Sequence, residues 1–171
     1  MKQTKEIKLA YAAGFLDGEG CIRISKRNPR NGRSISYNLL VNISQKDGEV
    51  MDWLYGNFGG IVYLKNKKAD STDWIYEWRI TEKQAFNFLK EVFPFLKYKK
   101  KQAELAIQFQ QRRIFERKRN IPDNGRFTSL TQNELDIRER IYQKMSSLKK
   151  EFVKSKNPNV VEYNFKSMVQ E

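Results

Sequence analysis

The sequence predicts an α+β fold, in which a four-stranded antiparallel sheet packs on helices. Three observations support this prediction: several segments repeat apolar residues with the period of a helix, four short segments alternate apolar with polar residues, and turn-forming residues separate them. The segments follow one another in the order αββαββα, with further helices toward the C-terminus. Because each strand is apolar on one side only, we expect that side to pack on the helices and the other to be exposed.

The first half of the chain supplies the first helix, the first hairpin and the second helix. Residues 7–16 are dense in apolar and small side chains and predict a helix. Residues 21–27 and 36–44 alternate in polarity and flank a turn-rich segment, which is typical of a β-hairpin. Residues 47–58 predict the second helix, which a pair of glycines is expected to end.

The second half repeats this order. Residues 61–67 and 74–80 alternate again and predict a second hairpin. Thr81 with Gln84 forms a capping-box pattern, which predicts a helix reaching to about residue 93. Residues 99–119 are expected to form a long basic helix.

A last helix is predicted to begin after Thr131, which forms another capping-box pattern with Glu134. Residues 1–155 are expected to be a single domain, because a chain of this length suits one core. Residues 156–171 are expected to be a loosely held tail. The core is expected to include all three tryptophans, Trp53, Trp74 and Trp78.

Charge and composition limit the function classes. The chain has 33 lysines and arginines against 20 acids, a net charge of +13, which favours a polyanionic partner such as nucleic acid. No apolar run approaches the roughly 20 residues that span a bilayer, so no membrane partner is expected. The chain has one cysteine, which fits a reducing, intracellular compartment. It has no histidine, which excludes an imidazole base and the usual structural zinc sites.

The exposed side of the predicted sheet is polar and basic. An antiparallel ribbon can enter the major groove of double-stranded DNA, where cations contact phosphates and guanines, and amides read other base edges. The alternative is an ordinary solvated sheet face. Together with two arginines of the first turn, the candidate DNA-contacting residues are Arg23, Ser25, Arg27, Arg30, Arg33, Asn38, Asn42, Tyr63, Lys65, Lys67, Ile75, Glu77 and Arg79.

Small residues lie on one stripe of the first helix, in the stretch "YAAGFLDGEG". Their most natural partner is the same helix of a second subunit, across a two-fold axis. That pairing would bring two copies of "DGEG" together, and paired carboxylates beside a basic surface can hold Mg²⁺. The alternative is a helix end with glycine stops and two solvated acids. The predicted interface residues are Ala10, Ala13, Gly14 and Asp17.

The segment "LAYAAGFLDGEGCIRI" resembles the signature of the LAGLIDADG homing endonucleases. A single copy followed by ββαββα is similar to the branch that acts as homodimers, and the resemblance covers most of residues 5–110 by element order. It implies a saddle-like sheet and a site-specific double-strand DNA endonuclease that acts in intron homing. Such an enzyme would cut a long pseudo-palindromic target and leave staggered ends.

The resemblance also implies a set of site residues. The last acid of the motif, here Glu19, would be the metal ligand, and Gly18 would add its backbone carbonyl. The earlier acid, Asp17, would be structural at the helix end. The implied cofactor is Mg²⁺, for which Mn²⁺ is expected to substitute.

Two further catalytic residues follow from segments that resemble the family. "ISQKDG" implies that Gln45 organises water, although Gln45 could instead cap the next helix. "PFLKYKKKQA" implies a lysine near the cleavage site, and the alignment indicates Lys99, with Lys97 and Lys101 as alternative registers. These lysines could instead face solvent or phosphates.

One position departs from the family pattern. A basic residue that some relatives carry after the Gln45 position is Glu49 here, and Lys46 is the only nearby substitute. Two alternative functions therefore stay open, an RNA maturase that binds intron RNA and a DNA-binding protein that has lost catalysis. Composition leaves the compartment open between an organelle (chloroplast or mitochondrion) and a prokaryotic cytoplasm.

Overall fold

The computed structural model describes residues 4–28, 35–66, 74–119 and 130–155, and the order of its elements is the predicted αββαββα followed by helices. A 3₁₀ turn at Phe93–Phe95 precedes the fourth helix. The α+β fold class is therefore confirmed. The elements are α1 (Lys5–Glu19), β1 (Gly20–Arg27), β2 (Ser36–Gln45), α2 (Gly48–Phe58), β3 (Ile61–Asn66), β4 (Trp74–Thr81), α3 (Glu82–Val92), α4 (Lys100–Arg119) and α5 (Gln132–Ser155).

The four strands form one antiparallel sheet in the order β1-β2-β4-β3. Ile22, Val41 and Ile80 lie side by side on neighbouring strands, and all three are buried. The next row across the same strands places Asn42 beside Arg79 on the opposite face. The alternation in the sequence therefore assigned the two faces of the sheet correctly, because successive side chains of a strand point to opposite sides.

The apolar face of the sheet is covered by helices, and one buried cluster extends from Leu9 in α1 to Met145 in α5. Trp78 is fully buried in this cluster, and Trp53 packs against its edge. The prediction that Trp74 belongs to the core is wrong, because its side chain is 53% exposed. Trp74 is the first residue of β4, so it lies at the end of the hairpin, where fewer neighbours cover it.

Helix α5 runs along β1, the first strand of the sheet. Lys26 Nζ lies 2.8 Å from Glu139 Oε2, and the Tyr37 hydroxyl donates a hydrogen bond to the same carboxylate. Burial and this hydrogen bond raise the pKa of Tyr37 to about 12. Farther along both elements, Lys149 Nζ lies 3.1 Å from the Cys21 sulfur. Polar contacts therefore hold α5 against the sheet at both ends of β1.

The two predicted capping boxes differ in outcome. Thr131 Oγ1 accepts a hydrogen bond from the Glu134 backbone N–H at 3.3 Å, which is half of the predicted box, whereas the Glu134 carboxylate accepts hydrogen bonds from Arg112 and Arg138 instead. Thr81 occupies the N-cap position of α3, but its side chain makes no capping bond in the described structure. The next residue, Glu82, has a φ of 52°, so the chain enters α3 through a left-handed conformation. None of the helices in the part of the chain described here is long and apolar enough to cross a membrane.

Candidate functional site

Asp17 joins the end of α1 to the beginning of α4. Its carboxylate accepts hydrogen bonds from three consecutive backbone N–H groups: Lys97 at 2.7 Å, Tyr98 at 3.2 Å and Lys99 at 2.9 Å. These donors belong to the three residues that precede α4, which begins at Lys100, so the carboxylate lies beside the N-terminus of that helix, where a negative charge is favourable. Asp17 therefore has the structural role that the resemblance implied.

The same contact brings Lys99 to the motif. Its side chain is only 5% exposed, and its Nζ donates a hydrogen bond to the backbone carbonyl of Asp17. Lys97 and Lys101, the alternative registers, are both exposed. Of the three lysines, Lys99 is thus the one whose buried ammonium group lies against the "DGEG" segment.

Glu19 is the last residue of α1, and its side chain is exposed beside this junction. The last turn of α1 carries no basic residue, so two acids lie at the negative end of the helix dipole, which disfavours them. The backbone after Glu19 is fixed by Gly20, where an added Cβ would lie 2.4 Å from Leu16 Cδ1 and 2.7 Å from the Leu16 carbonyl oxygen. The position of Glu19 is therefore set by the fold, although its charge is not favoured there.

The oxygen atoms near Glu19 suit a hard divalent cation whose other ligands come from other molecules. Within the described ranges, no three acidic or cysteine side chains cluster closely enough to hold a metal ion. One chain offers the Glu19 carboxylate and the Gly18 carbonyl, and Mg²⁺ is commonly bound by one or two carboxylates together with waters and substrate phosphates. The chain thus offers two oxygen ligands of the kind that Mg²⁺ prefers.

Gln45 ends β2, close to the motif. β1 begins at Gly20, which pairs with Ile43, two residues before Gln45, so Gln45 lies at the end of β2 that is next to the junction of α1 and β1. The Gln45 side-chain oxygen accepts a hydrogen bond from the Lys46 backbone N–H at 2.8 Å. It does not cap α2, because Asp47 occupies the N-cap and accepts the Glu49 N–H at 2.8 Å.

Lys46 and Glu49 are both exposed at the junction between β2 and α2. Glu49 lines a groove of about 390 Å³ together with Tyr11, Val50 and Trp53. The acidic departure from the family pattern therefore lies on the surface between α1 and α2.

The exposed stripe of α1 differs from the predicted one. Ala13 is fully buried and Asp17 is 9% exposed, so their assignment to a subunit interface is wrong: both face their own chain. The residues that face outward are spaced four, three and four apart, as expected for one side of a helix. They are Ile7, Tyr11, Gly14 and Gly18, with the exposed Ala10 beside them.

Two large apolar side chains of this stripe were missed, although their spacing of four residues signals a common face. Ile7 is 54% exposed and Tyr11 is 48% exposed. An added Cβ at Gly14 or Gly18 would meet nothing within 4 Å. These glycines are therefore not required by packing within the chain.

The polar face of the sheet is the surface opposite the core. It contains most of the predicted DNA-contacting residues, whereas Arg30, Arg33 and Lys67 lie outside the described residues. Among the described side chains, Arg23 Nε and Asn42 Oδ1 are buried without a hydrogen-bond partner. The described residues of the polar face are Arg23, Ser25, Arg27, Asn38, Asn42, Ser44, Tyr63, Lys65, Ile75, Glu77 and Arg79.

Glu77 corrects the predicted set of contact residues. It lies at the centre of the polar face but is only 1% exposed, so it offers no surface to DNA. Burial alone would raise the pKa of Glu77, but hydrogen bonds from Lys65, Tyr63 and Arg79 outweigh it and lower the pKa to about 2. Glu77 is thus an ionised carboxylate inside a basic surface, held by neighbours that the sequence suggested would contact DNA directly.

A family model described as LAGLIDADG endonuclease matches residues 12–112, which include most of the motif, the whole sheet and Lys99. The DNA endonuclease I-CreI of Chlamydomonas reinhardtii is 32% identical over 111 residues. That match covers 63% of this chain and 64% of I-CreI, so the chain spans slightly less than two thirds of this relative.

Solved structures of similar fold cover more of the chain. The archaeal intron-encoded homing endonuclease I-Vdi141I, complexed with DNA, has a TM-score of 0.66 and 16% identity, over 96% of this chain and 93% of its own. The homing endonuclease I-CvuI, in complex with the I-CreI target in the presence of magnesium, has a TM-score of 0.64 and 17% identity, over 84% of this chain and 82% of its own. At such identities the likeness supports the fold alone.

Proposed function

The chain belongs to the LAGLIDADG endonuclease family, and from this premise we propose that it is a homodimeric, metal-dependent, site-specific DNA endonuclease of intron homing. The observation that carries the proposal is the Asp17 junction, which brings the buried Lys99 ammonium group to the segment that ends in Glu19. A cation beside an exposed carboxylate, on a basic domain, suits hydrolysis of a phosphodiester. The similarity to I-CreI, a DNA endonuclease that is 32% identical over 111 residues, supports DNA as the substrate.

The outward stripe of α1 supports a homodimer. Ile7 and Tyr11 expose apolar surface, and Gly14 and Gly18 leave room for a second backbone to approach. A two-fold axis at this stripe pairs each residue with its counterpart, and so brings the two Glu19 carboxylates to one side of the dimer. Each subunit would then contact one half of a pseudo-palindromic target.

The polar face supports contact with bases as well as phosphates. The unpaired Arg23 Nε and Asn42 Oδ1 are a donor and an acceptor on neighbouring strands, and both lose hydration without gaining a partner in the free protein. Arg and Asn are the side chains that read guanine and adenine edges in the major groove. Both residues are only partly buried, so a duplex can contact the remaining parts of their side chains.

The proposed mechanism assigns one task to each residue. Glu19 and the Gly18 carbonyl would hold Mg²⁺, which supplies Lewis-acid stabilisation and lowers the pKa of water when it is bound. Gln45 would orient the attacking water through its side-chain amide. Lys99 would stabilise the negative charge that develops on the scissile phosphate, and its burial strengthens that interaction. Cleavage on both strands across the minor groove would leave staggered ends.

The test is a Glu19→Gln variant assayed for both binding and cleavage. A target is first selected with the wild-type protein from a randomised duplex library in the presence of Mg²⁺. We expect the variant to bind the selected duplex as wild type does but to cleave it at an undetectable rate, because the neutral amide is a poor ligand for Mg²⁺. Glu104→Gln, an exposed acid on α4, removes the same charge elsewhere and should cleave normally.

The two outcomes against the proposal are distinct. Cleavage by Glu19→Gln at the wild-type rate would contradict the metal-ligand role. Wild-type protein that binds the library but never cuts it would instead indicate a DNA-binding protein without catalysis, and preference for structured intron RNA over duplex DNA would indicate a maturase.

A further inference from the structure

The polar face of the sheet is built around one buried carboxylate. Glu77 lies on β4, directly opposite Ser44 on β2 and Tyr63 on β3. It is almost completely buried, in the middle of the surface that carries the basic side chains of the strands. A charge in such a position costs free energy unless its neighbours are bound to it, so its retention calls for an explanation.

Neighbouring side chains occupy all the hydrogen-bond acceptor sites of the Glu77 carboxylate. Oε2 accepts a hydrogen bond from Ser44 Oγ at 3.1 Å and another from Lys65 Nζ. Oε1 accepts one from the Tyr63 hydroxyl and two from Arg79, from Nε at 3.1 Å and from Nη2 at 2.6 Å. A carboxylate has about four acceptor sites, so none remains for a base edge.

These contacts fix the two cations that lie beside Glu77. Arg79 is bound through two of its nitrogens, and its guanidinium also lies 4.9 Å from the centre of the Tyr63 ring. The Lys65 ammonium group forms an ion pair with Glu77 Oε2. Both side chains are otherwise long and flexible, and their rotamer entropy is lost in the free protein, before any DNA is bound.

We propose that Glu77 is a positioning residue for DNA recognition, which holds Lys65 and Arg79 in fixed orientations so that they discriminate between sequences. This inference rests on the proposed function, because it assumes that the polar face binds duplex DNA. Free cations bind phosphates at any sequence, which raises affinity without specificity. Cations that are hydrogen-bonded to a buried anion have fixed orientations, so they contact only DNA groups that lie in matching positions. The negative charge of Glu77 also weakens the attraction of these cations to phosphates.

The inference is tested by comparing Glu77→Gln with Glu104→Gln, which makes the same charge change on α4. Each variant and the wild type is titrated with the selected target and with a scrambled duplex of equal length, over a series of salt concentrations. For Glu77→Gln we expect discrimination between the two duplexes to fall about tenfold or more, which corresponds to one lost base contact. The slope of log K against log salt should steepen by about 0.9 for each cation that gains a phosphate.

The outcomes separate this inference from the proposed function. If the wild type distinguishes the two duplexes and Glu77→Gln has the discrimination and slope of Glu104→Gln, the positioning role is overturned and the proposed function stands. If the wild type selects no duplex at all, both are overturned.

A second variant covers the case in which Glu77→Gln does not fold. Tyr63→Phe removes one donor from Oε1 but keeps the charge at position 77, so we expect weaker discrimination with the wild-type salt slope. Unchanged discrimination in Tyr63→Phe, or a steeper slope, would overturn the positioning role.

Discussion

Lys99 and Glu77 are two charged residues that are buried in the fold. In each case, hydrogen bonds to neighbouring groups explain why a charged residue can be buried. Lys99 donates to the Asp17 carbonyl, and Glu77 accepts from four side chains of the polar face. Buried charges are retained only where such partners compensate for lost hydration. Each of these residues can therefore be tested by its chemistry as well as by its effect on stability.

Lys99→Met should reduce cleavage and leave binding almost unchanged. Methionine keeps the apolar stem in its buried position but removes the ammonium group, so a loss of about 10²- to 10³-fold in single-turnover rate is expected for one lost electrostatic contact. Lys97→Met is the matched control, because Lys97 is exposed. Equal losses in the two variants would contradict the assignment of Lys99.

Glu77 should make folding stability depend on pH in the acid range. Its pKa is lowered from 4.5 to about 2 in the folded protein, so its contribution is present above about pH 4.5 and is lost as the pH falls toward 2. Between pH 6 and pH 3 the wild type should lose about 2 kcal/mol more stability than Glu77→Gln, which does not titrate. Denaturant unfolding at both pH values measures this; equal losses would mean that the carboxylate is not held as described.

At the scale of elements, the strands were easier to predict than the surface of α1. The side chains of a strand point alternately to two sides, so the alternation of Ile22, Arg23 and Ile24 was enough to predict which side faces the core. Helix α1 has small residues all around, and Ala12 and Ala13 fill the core, whereas Gly14 faces outward. Because small size alone does not distinguish these positions, the predicted interface included Ala13, which faces the core instead of the surface.

Gly14→Lys should convert a dimer into a folded monomer. The lysine meets no atom of its own chain at Cβ but would introduce two charges at the two-fold contact, one from each subunit. Gly56→Lys is the control, because Gly56 is an exposed helical glycine of α2 with equally open surroundings. Sedimentation at several protein concentrations measures the mass, and a Gly14→Lys protein that remains dimeric would contradict the proposed interface.

The Asp17 junction was beyond prediction from residues alone. The donor groups lie 80 to 82 positions along the chain from the carboxylate, and backbone N–H groups have no signature in a sequence. The resemblance to the family implied that Asp17 is structural, but not what it binds. The same applies to Glu77, whose four partners come from three different strands and meet only after the sheet has formed.

At the scale of the whole molecule, the net charge of +13 should dominate affinity for DNA. If a subunit pair neutralises about 6 to 10 phosphates, affinity should fall by about 10³- to 10⁵-fold between 50 and 200 mM salt. Fluorescence anisotropy with the scrambled duplex measures the electrostatic part, and the selected target measures the total. A nearly flat salt response would contradict binding through the polar face.

The distance along the chain between the two sides of the Asp17 junction also has a consequence during synthesis. A nascent polypeptide cannot assemble the proposed catalytic site until the ribosome has made residue 99, because residues 97–99 supply the ammonium group and the three N–H groups that bind Asp17. Truncated translation products that stop before this point carry the motif but lack the lysine.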